Sequence, residues 1–345
     1  MLIWIKRLLI LGITLIVLVL IILAMLWLTY FAAPSDLVIN ESRLNDGKGG
    51  TVITLDAGKN IVQFAEELED MQVIKSKKVF LTMIEKLQVG KQIKGGTYVF
   101  TDSEHVLRIL DRLVKGEYGY TPVRITFPEG YTSYAMAKAI QVKFPHITPE
   151  DFMNEVEGKE GKLFPDTYFF YPYVTAAEIE KALDQNFNRR IAKLKNQFES
   201  NQGQASTTNS EIISGYTFDE ILIMASIVEK EVRTAEDKAL VADLFWRRIK
   251  NGMPLQADST LTYVTGKGSD TLTLAELKDK ENPYNSYVFK GLPPTPISNP
   301  GLVSIQAALN PKANPYVFFL SDKEGNTHFS ETYKEHLRLK EKYLR

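Results

Sequence analysis

The chain begins with a long, uninterrupted run of apolar residues. Residues 8–33 read LLILGITLIVLVLIILAMLWLTYFAA and carry no charge. At about 1.5 Å per residue this run makes a helix of roughly 39 Å, while the hydrocarbon core of a bilayer is about 30 Å thick. The run therefore predicts one tilted membrane-spanning helix. A cleaved signal peptide is less favoured, because its apolar core is shorter and ends at a small-residue cleavage site that is not evident here.

Charges on either side of the apolar run predict its orientation. Lys6 and Arg7 precede it, whereas Asp36 and Glu41 follow it. The positive-inside rule then puts the N-terminal stub in the cytoplasm and everything after the helix outside. We assign residues 1–34 to the stub and the membrane helix. Residues 35–50 are polar, end in glycines and read as a linker.

The next segment alternates short strand patterns with helical ones. TVITLDAG (51–58) and KGGTYVF (94–100) read as strands, and apolar residues at helical spacing mark helices at 60–70, 76–87 and 103–115. Residues 51–118 are therefore predicted to form a compact α+β subdomain.

Residues 119–345 continue the mixture of helices and strands, so the fold class predicted for the whole chain is α+β. The aromatic segment 162–174 has no clean period and reads as an ordered loop or edge strand, and LTYV (261–264) is predicted as an apolar strand. Strands are further predicted at 122–127 and 316–321, and helices near 132–143, 149–156, 176–198, 218–233, 235–251 and 302–309.

The amino-acid composition argues against several classes of protein function. The 345 residues include 41 lysines and arginines against 42 aspartates and glutamates, so the net charge is −1, which argues against a nucleic-acid binder. The absence of cysteine excludes a disulfide scaffold and thiol catalysis. The four histidines are scattered, and there is no phosphate-binding or dinucleotide-binding glycine motif. We therefore expect no metal and no cofactor.

The helix at 218–233 carries the most informative charges. It is apolar nearly all round and then reads Glu229, Lys230, Glu231. A glutamate at the edge of a buried helix can be partly desolvated, which raises its pKa and suits a general acid. The alternative is that both glutamates are solvated residues of the last turn. Periodicity does not choose between the two.

Polar and aromatic side chains cluster further along the chain. Amides, hydroxyls and aromatic rings together suit a sugar-binding groove, because rings stack on sugar faces and amides bond hydroxyl groups. The alternative is that they only satisfy the backbone of proline-bounded turns. The residues are Gln256, Asp258, Ser259, Thr260, Tyr284, Asn285 and Tyr287.

Several ordered motifs give the sequence a family resemblance. MASIVEKE (224–231), GMPLQADST (252–260), NPYNSY (282–287), GLPPTPISNPG (291–301) and HFSETYKEH (328–336) follow one another in this order, with FPEGYT (127–132) and FPDTY (164–168) upstream. Together they resemble the endolytic murein transglycosylases, the YceG-like family. The resemblance covers nearly everything from about residue 50 onwards.

The resemblance implies a lyase that cuts peptidoglycan glycan strands internally, between N-acetylmuramic acid and N-acetylglucosamine, and leaves a 1,6-anhydro end. Glu231 matches the family's catalytic glutamic acid, and Glu229 matches the supporting first glutamate of the triplet. The family's Q-x-D-P-T stretch maps to Gln256, Asp258 and Thr260, with Ser259 where proline is usual. That replacement puts the loop geometry in doubt.

The family's Y-N-x-Y stretch maps to Tyr284, Asn285 and Tyr287, and Asn285 is the candidate for orienting the sugar. The resemblance also implies a LysM-like subdomain at 51–118, ahead of a YceG-like catalytic domain at 119–345. This subdomain either binds glycan or serves only as a packing domain, and the first is favoured. We expect a single-pass membrane protein that terminates nascent strands beside the cell-wall synthases.

Two other functions stay open at this stage. One is an ordinary glycoside hydrolase with Glu229 and Glu231 as its pair, although side chains two apart on a helix point about 200° apart. The other is a non-catalytic peptidoglycan-binding scaffold of the cell-wall synthesis machinery.

Overall fold

The computed structural model describes residues 2–35, 37, 50–56, 60–201, 212–268 and 271–344. It combines many helices with small two-stranded sheets. Most of the predicted linker at 35–50 and of the polar loop at 201–210 lies outside the described residues. The chain divides into two compact units, Met1–Val123 with Tyr171–Tyr173, and Arg124–Phe170 with Val174–Arg345.

The apolar run forms helix α1 (Leu2–Tyr30), as predicted. Its segment Leu9–Trp27 has a mean hydropathy of 3.3, and none of that segment is buried inside the protein. The helix is long and apolar enough to cross a membrane as a single-pass anchor. Its orientation remains a prediction.

The rest of the first unit follows the predicted order of strand, two helices, strand and helix. Strand β1 (Thr51–Leu55) pairs antiparallel with β2 (Gly96–Phe100), with Ile53 opposite Tyr98. Buried aromatic side chains such as Phe64 fill the space between this two-stranded sheet and the helices. The helices are α2 (Ile61–Asp70), α3 (Lys77–Leu87) and α4 (Val106–Lys115).

The second unit contains the remaining elements. Strands β3 (Val123–Thr126) and β4 (Thr167–Phe170) form one sheet, and β5 (Phe318–Ser321) pairs antiparallel with β6 (Thr327–Ser330). The helices are α5 (Ser133–Lys143), α6 (Pro149–Glu155), α7 (Ala176–Asn201), α8 (Phe218–Glu231), α9 (Ala235–Lys250), α10 (Asp258–Thr265), α11 (Leu274–Leu277), α12 (Leu302–Leu309) and α13 (Tyr333–Tyr343).

Helix α8 lies at the centre of the second unit. It begins with the predicted capping box, in which Thr217 and Glu220 each bond the other's backbone N–H. Its residues from Phe218 to Val228 are buried apart from the first-turn Asp219 and Glu220. The helix ends at Glu231, two residues earlier than predicted, because Val232 adopts an extended conformation. Glu231 therefore lies at the end of a helix that the core holds on all sides.

One predicted element is wrong. The segment LTYV belongs to helix α10 and not to a strand. Threonine, tyrosine and valine favour strands when judged locally, but here the helix ends at Gly266, whose φ of +68° suits the left-handed cap. At its start, Ala257 has no capping side chain. The polar group that meets this first turn comes from elsewhere in the chain, as described below.

Candidate active site

Glu231 sits where the end of α8 meets the start of α10. Its side chain is half-buried, and its Oε1 accepts a hydrogen bond of 2.6 Å from the Ser259 hydroxyl. Ser259 is the second residue of α10 and is only 7% exposed. The Glu231 carboxyl thus lies against the first turn of a helix whose own cap residue offers no side-chain acceptor.

The surroundings of Glu231 favour its protonated form. Burial raises the pKa of the Glu231 carboxyl above its usual value, and the negative charge of Asp258 raises it further. The Ser259 hydroxyl and backbone N–H, together with the positive charge of Arg248, act in the opposite direction without cancelling the rise. A carboxyl group of this kind can carry a proton near neutral pH and donate it as a general acid.

Two further charged groups flank this carboxyl. Asp258 accepts a short hydrogen bond from the Tyr287 hydroxyl, which ties the loop at 282–287 to the start of α10. Burial raises the pKa of Tyr287, and the bond to Asp258 adds to that rise, so the phenol stays protonated. Arg248 on α9 is 9% exposed and donates to the backbone carbonyls of Leu255 and Val317.

Glu229 has a different environment, although it is two residues away on the same helix. Its Oε1 forms a 2.7 Å ion pair with Lys238, and the two side chains are 7% and 4% exposed. Its Oε2 accepts bonds from the Gly301 backbone N–H at 2.9 Å and from the Ser304 hydroxyl at 2.7 Å. Both oxygens are therefore engaged, at the start of α12. This geometry suits a structural anchor and leaves no oxygen for a substrate.

A buried hydroxyl fixes the loop that carries the Q-x-D motif. Ser286 accepts a bond from the Ala257 N–H at 3.0 Å and from the Thr260 hydroxyl at 2.9 Å. Thr260 is fully buried, so it supports the loop from inside. Gln256 is exposed and has a φ of +54°, which turns the chain sharply before α10. Of these residues, Gln256 is the one whose side chain is exposed.

The residues of the Y-N-x-Y stretch divide into outer and inner positions. Asn285 is fully buried, and its amide donates to the carbonyls of Asp279 at 2.7 Å and Glu276 at 3.0 Å. This geometry favours a role in shaping the loop rather than direct contact with a sugar. Tyr284 and Tyr287 are half-buried, and the Tyr284 hydroxyl lies 2.8 Å from that of Thr295.

The loop at 297–301 joins the motifs that are far apart in sequence. Ser226 on α8 accepts a bond from the Ile297 N–H at 3.0 Å. Asn299 is fully buried and bonds the backbone of Leu163 and Tyr131 and the Glu160 carboxyl. These bonds hold the FPEGYT and GLPPTPISNPG motifs beside α8, the helix that contains the MASIVEKE motif.

Glu160 was not singled out by the sequence. Its carboxyl accepts the Ser133 N–H at 3.1 Å and the Asn299 amide at 2.8 Å, and burial raises its pKa. It lines a cavity of about 410 Å³ together with Tyr263 and Thr295. Tyr263 follows Ser259 by four residues on α10, so both point from the same face of that helix.

Other charged groups near the site were also not found from the sequence. Burial raises the pKa of Glu129, and the nearby charge of Glu229 contributes to that rise. The pKa of His336 is lowered by burial and by the positive charges of Lys340 and Arg248. His336 therefore brings the HFSETYKEH motif close to Arg248. In the sequence, Glu129 and His336 stand out only as members of the FPEGYT and HFSETYKEH motifs, because no local periodicity marks either residue.

A metal site does not emerge from the described part of the chain. Within those residues, no three acidic or histidine side chains gather closely enough to hold an ion. His328 contacts Asp322 at 2.8 Å, which is a structural bond in the β5–β6 hairpin.

Comparison with known proteins places this chain in one family. The profile of the YceG-like family matches residues 53–342, and the chain belongs to that family. The resemblance seen in the motifs is thereby confirmed. The match begins within β1 and extends into α13, so it includes both compact units.

Individual relatives agree with this assignment. An endolytic murein transglycosylase of Bacillus subtilis (strain 168) is 30% identical over 326 residues, which cover 87% of this chain and 86% of that protein. The protein of that name from Streptococcus pneumoniae serotype 2 (strain D39 / NCTC 7466) is 26% identical over 85% of this chain, which spans only 58% of its length. A crystal structure of a yceG-like protein from Listeria monocytogenes has a TM-score of 0.54 and 27% identity, and the match covers 85% of this chain and 99% of that one.

Proposed function

We propose that this protein is an endolytic murein transglycosylase, a lyase acting on peptidoglycan. It cleaves the bond between N-acetylmuramic acid and N-acetylglucosamine within a glycan strand and leaves a 1,6-anhydro end. The relatives that cover most of the chain carry this name. Within the site, the observation that carries the proposal is the half-buried carboxyl of Glu231, whose pKa is raised while Glu229 is fully engaged.

The reaction needs one carboxyl group that acts twice. Glu231 donates its proton to the glycosidic oxygen as the bond from that oxygen to C1 of the muramyl residue breaks. The muramyl 6-hydroxyl oxygen then forms a new bond to C1, and its proton returns to the Glu231 carboxylate. No water is consumed, and the enzyme ends in its starting state. Burial suits both steps, since it keeps the acid protonated and strengthens the base once the proton has left.

The rival with two catalytic carboxyls fits the geometry poorly. A hydrolase needs a second carboxylate that faces the same bond or activates a water across the ring. Glu229 has both oxygens bound to Lys238, Gly301 and Ser304. We therefore assign Glu231 as the catalytic residue and Glu229 as its structural support.

In this proposal, some of the remaining site residues contact the substrate and others support the loops from inside. Gln256 and Tyr284 are the residues that contact the glycan strand, and Tyr287 holds Asp258 beside the catalytic carboxyl. Thr260 and Asn285 act from inside by fixing the two loops.

The anchor gives the enzyme its place of action. With the stub before α1 in the cytoplasm, the catalytic unit would face the cell wall close to the membrane, where new strands are made. We propose that it cuts nascent strands there, beside the synthases, with the unit around β1 and β2 acting as a LysM-like glycan-binding subdomain ahead of the YceG-like catalytic domain. No cofactor enters this scheme.

A digest of purified peptidoglycan tests the proposal. The full chain in detergent is expected to release fragments with 1,6-anhydro ends, and Glu231→Gln is expected to lower the rate by at least about a hundredfold because the acid is lost. Mass spectrometry separates an anhydro end from a reducing end by one water. Glu150→Gln, an exposed glutamate on α6, is the matched control and should keep full activity.

Three results would contradict this assignment. Reducing ends would indicate a hydrolase, and the absence of any product from the unchanged chain would favour the non-catalytic scaffold. Full activity of Glu231→Gln would mean that another group is the acid.

A further inference from the structure

Ser259 connects the start of α10 to the catalytic carboxyl of Glu231. Ser259 donates its hydroxyl to Oε1 of Glu231 at 2.6 Å, and its backbone N–H also points towards that carboxyl. Ala257, at the cap position, has no side-chain bond to the helix. The carboxyl of Glu231 therefore takes the place at this helix start that a capping side chain would otherwise fill.

Ser259 is held firmly enough to fix what it binds. It is 7% exposed, and its backbone belongs to a helix whose first turn rests on the buried hydroxyls of Thr260 and Ser286. Its own carbonyl accepts a bond of 3.1 Å from the Thr262 hydroxyl. A serine side chain has only one torsion that moves its oxygen. With the Ser259 backbone fixed in α10, the hydroxyl and the Oε1 atom that it bonds have little freedom to move.

A hydroxyl bound in this way distinguishes the two carboxyl oxygens. A carboxylic acid has one oxygen that carries the proton and one that only accepts. The Ser259 hydroxyl donates to Oε1 of the ionised carboxyl. A proton that arrives while this bond is kept binds preferentially to Oε2.

We propose that Ser259 is the positioning residue of the catalytic glutamate, holding Oε1 so that Oε2 is the oxygen that gives the proton to the glycosidic bond and later takes it from the 6-hydroxyl. This inference rests on the proposed function and adds a residue to it. Proton donation and proton recovery then occur at the same atom, so the carboxyl does not need to rotate between the two steps.

The Ser259 bonds also affect how readily the carboxyl ionises. Around Glu231, burial and Asp258 favour the protonated form, whereas Arg248 and the two Ser259 donors favour the carboxylate. Tyr287 is neutral and bonds Asp258, and His336 faces Arg248. Removing the Ser259 hydroxyl leaves burial and the charge of Asp258 in place, so the pKa of Glu231 should rise further.

Kinetics of the full chain in detergent on purified glycan strands test this role. Ser259→Ala should lower kcat about tenfold with little change in KM, because the hydrogen bond that orients the acid is lost. Activity requires protonated Glu231, so the rate falls as pH rises through its pKa. The basic limb of kcat against pH should therefore move to higher pH in Ser259→Ala.

Two more variants at the same position sharpen the result. Ser259→Thr keeps a hydroxyl and should return the basic limb towards that of the unchanged chain. Proline is tolerated in the first turn of a helix, so Ser259→Pro keeps α10 while removing the hydroxyl and the N–H together. Its basic limb should lie at least as far to high pH as that of Ser259→Ala.

Thr265→Ala is the matched control, because it removes a hydroxyl at the other end of α10 that bonds the Leu261 carbonyl rather than Ser259 or Glu231. Its basic limb should not move. A Ser259→Ala enzyme that is slower but keeps the original limb would overturn the proposal, since that is the result of a purely structural role. If Ser259→Ala does not fold, Ser259→Cys, with a similar size and a weak donor, must show the shift instead.

The same measurements separate this inference from the function on which it rests. If the unchanged chain releases no anhydro ends, the proposed function fails. If the unchanged chain releases them and Glu231→Gln does not, but the Ser259→Ala limb is unmoved, only the role of Ser259 fails.

Discussion

Glu229 and Glu231 lie two residues apart on α8, and their surroundings give them opposite roles. The side chain of Glu229 points to Lys238 and the start of α12, where three donors bond its two oxygens. The side chain of Glu231 points to the start of α10, where burial outweighs the donors and raises its pKa. The chemistry of each glutamate is therefore set by the element that its side chain meets.

The buried pair of Lys238 and Glu229 supports a prediction about stability. Lys238→Met removes the cation and leaves the buried Glu229 carboxylate without its counter-ion. Breaking a buried pair from one side costs about 3–5 kcal/mol. We expect a clear loss in the free energy of unfolding, measured by chemical denaturation in detergent, and the double variant with Glu229→Gln should recover part of it.

The exposed ion pair of Lys312 and Glu236 provides the comparison. Lys312→Met should change the free energy of unfolding by less than about 1 kcal/mol, because exposed pairs contribute little. If Lys238→Met kept full stability but lost activity, Glu229 would need a direct role in the reaction.

Helix α10 shows how an element depends on partners that are distant in the sequence. Judged locally, LTYV resembles a strand. In the fold, Ser286 bonds the backbone just before the helix, and the Glu231 carboxyl meets its first turn. These contacts provide hydrogen-bond partners for polar groups at the start of the helix, which would point in other directions in a strand. The left-handed Gly266 ends the helix.

The contact between two loops of the second unit gives a prediction at the scale of elements. Gly161 has a φ of +84°, and a Cβ at this position would lie 2.6 Å from Pro296. Gly161→Ala must therefore strain the backbone and also separate this loop from the one that carries Pro296. We expect a lower melting temperature and lower activity, because the second loop is bonded to α8 through Ser226.

Gly158→Ala isolates the cost of the backbone alone. Gly158 has a φ of +71°, and a Cβ there would meet nothing within 4 Å. An alanine in the left-handed region costs about 1–2 kcal/mol. Gly161→Ala should lower the melting temperature by more than Gly158→Ala, and equal shifts would show that the Pro296 contact contributes nothing.

At the scale of the whole molecule, the main question is which side of the membrane the catalytic unit faces. The helix α1 is long and apolar enough to span the bilayer. The chain contains no cysteine, so a single introduced cysteine reports its own location without a background signal. The flanking charges predict that everything after α1 lies outside.

Labelling with a membrane-impermeant maleimide in protoplasts tests this orientation. Glu331→Cys, an exposed position before α13, should react in intact protoplasts. Trp4→Cys, exposed at the start of α1, should react only after permeabilisation. Trp4 is chosen rather than Lys6 because removing a positive charge could itself alter the orientation. The reverse labelling pattern would place the catalytic unit in the cytoplasm and exclude contact with the cell wall.

Much of the architecture could be predicted from local pattern. The apolar run gave α1, and helical spacing gave α2, α3, α7, α8, α9 and α12 to within a few residues. The capping box at Thr217 and Glu220 gave the start of the central helix. These features depend on residues close together in the chain, which is why the sequence displays them.

The site could be predicted only in part. The ordered motifs pointed to Glu231, but Glu160 and Arg248 had no local signal because their partners lie far along the chain. The resemblance points to Asn285 as the residue that orients the sugar, whereas its buried amide bonds the backbone carbonyls of Glu276 and Asp279.

The sequence by itself determined the anchor, the mixture of helices and strands, and the family, because each follows from local periodicity or from the order of motifs. Only the tertiary structure decided how the two glutamates of α8 differ, that LTYV forms a helix, and that Ser259 binds the Glu231 carboxyl. Desolvation and hydrogen bonding depend on which distant groups come within about 3 Å of one another. That proximity arises only when α8, α10 and the loop before α12 pack together.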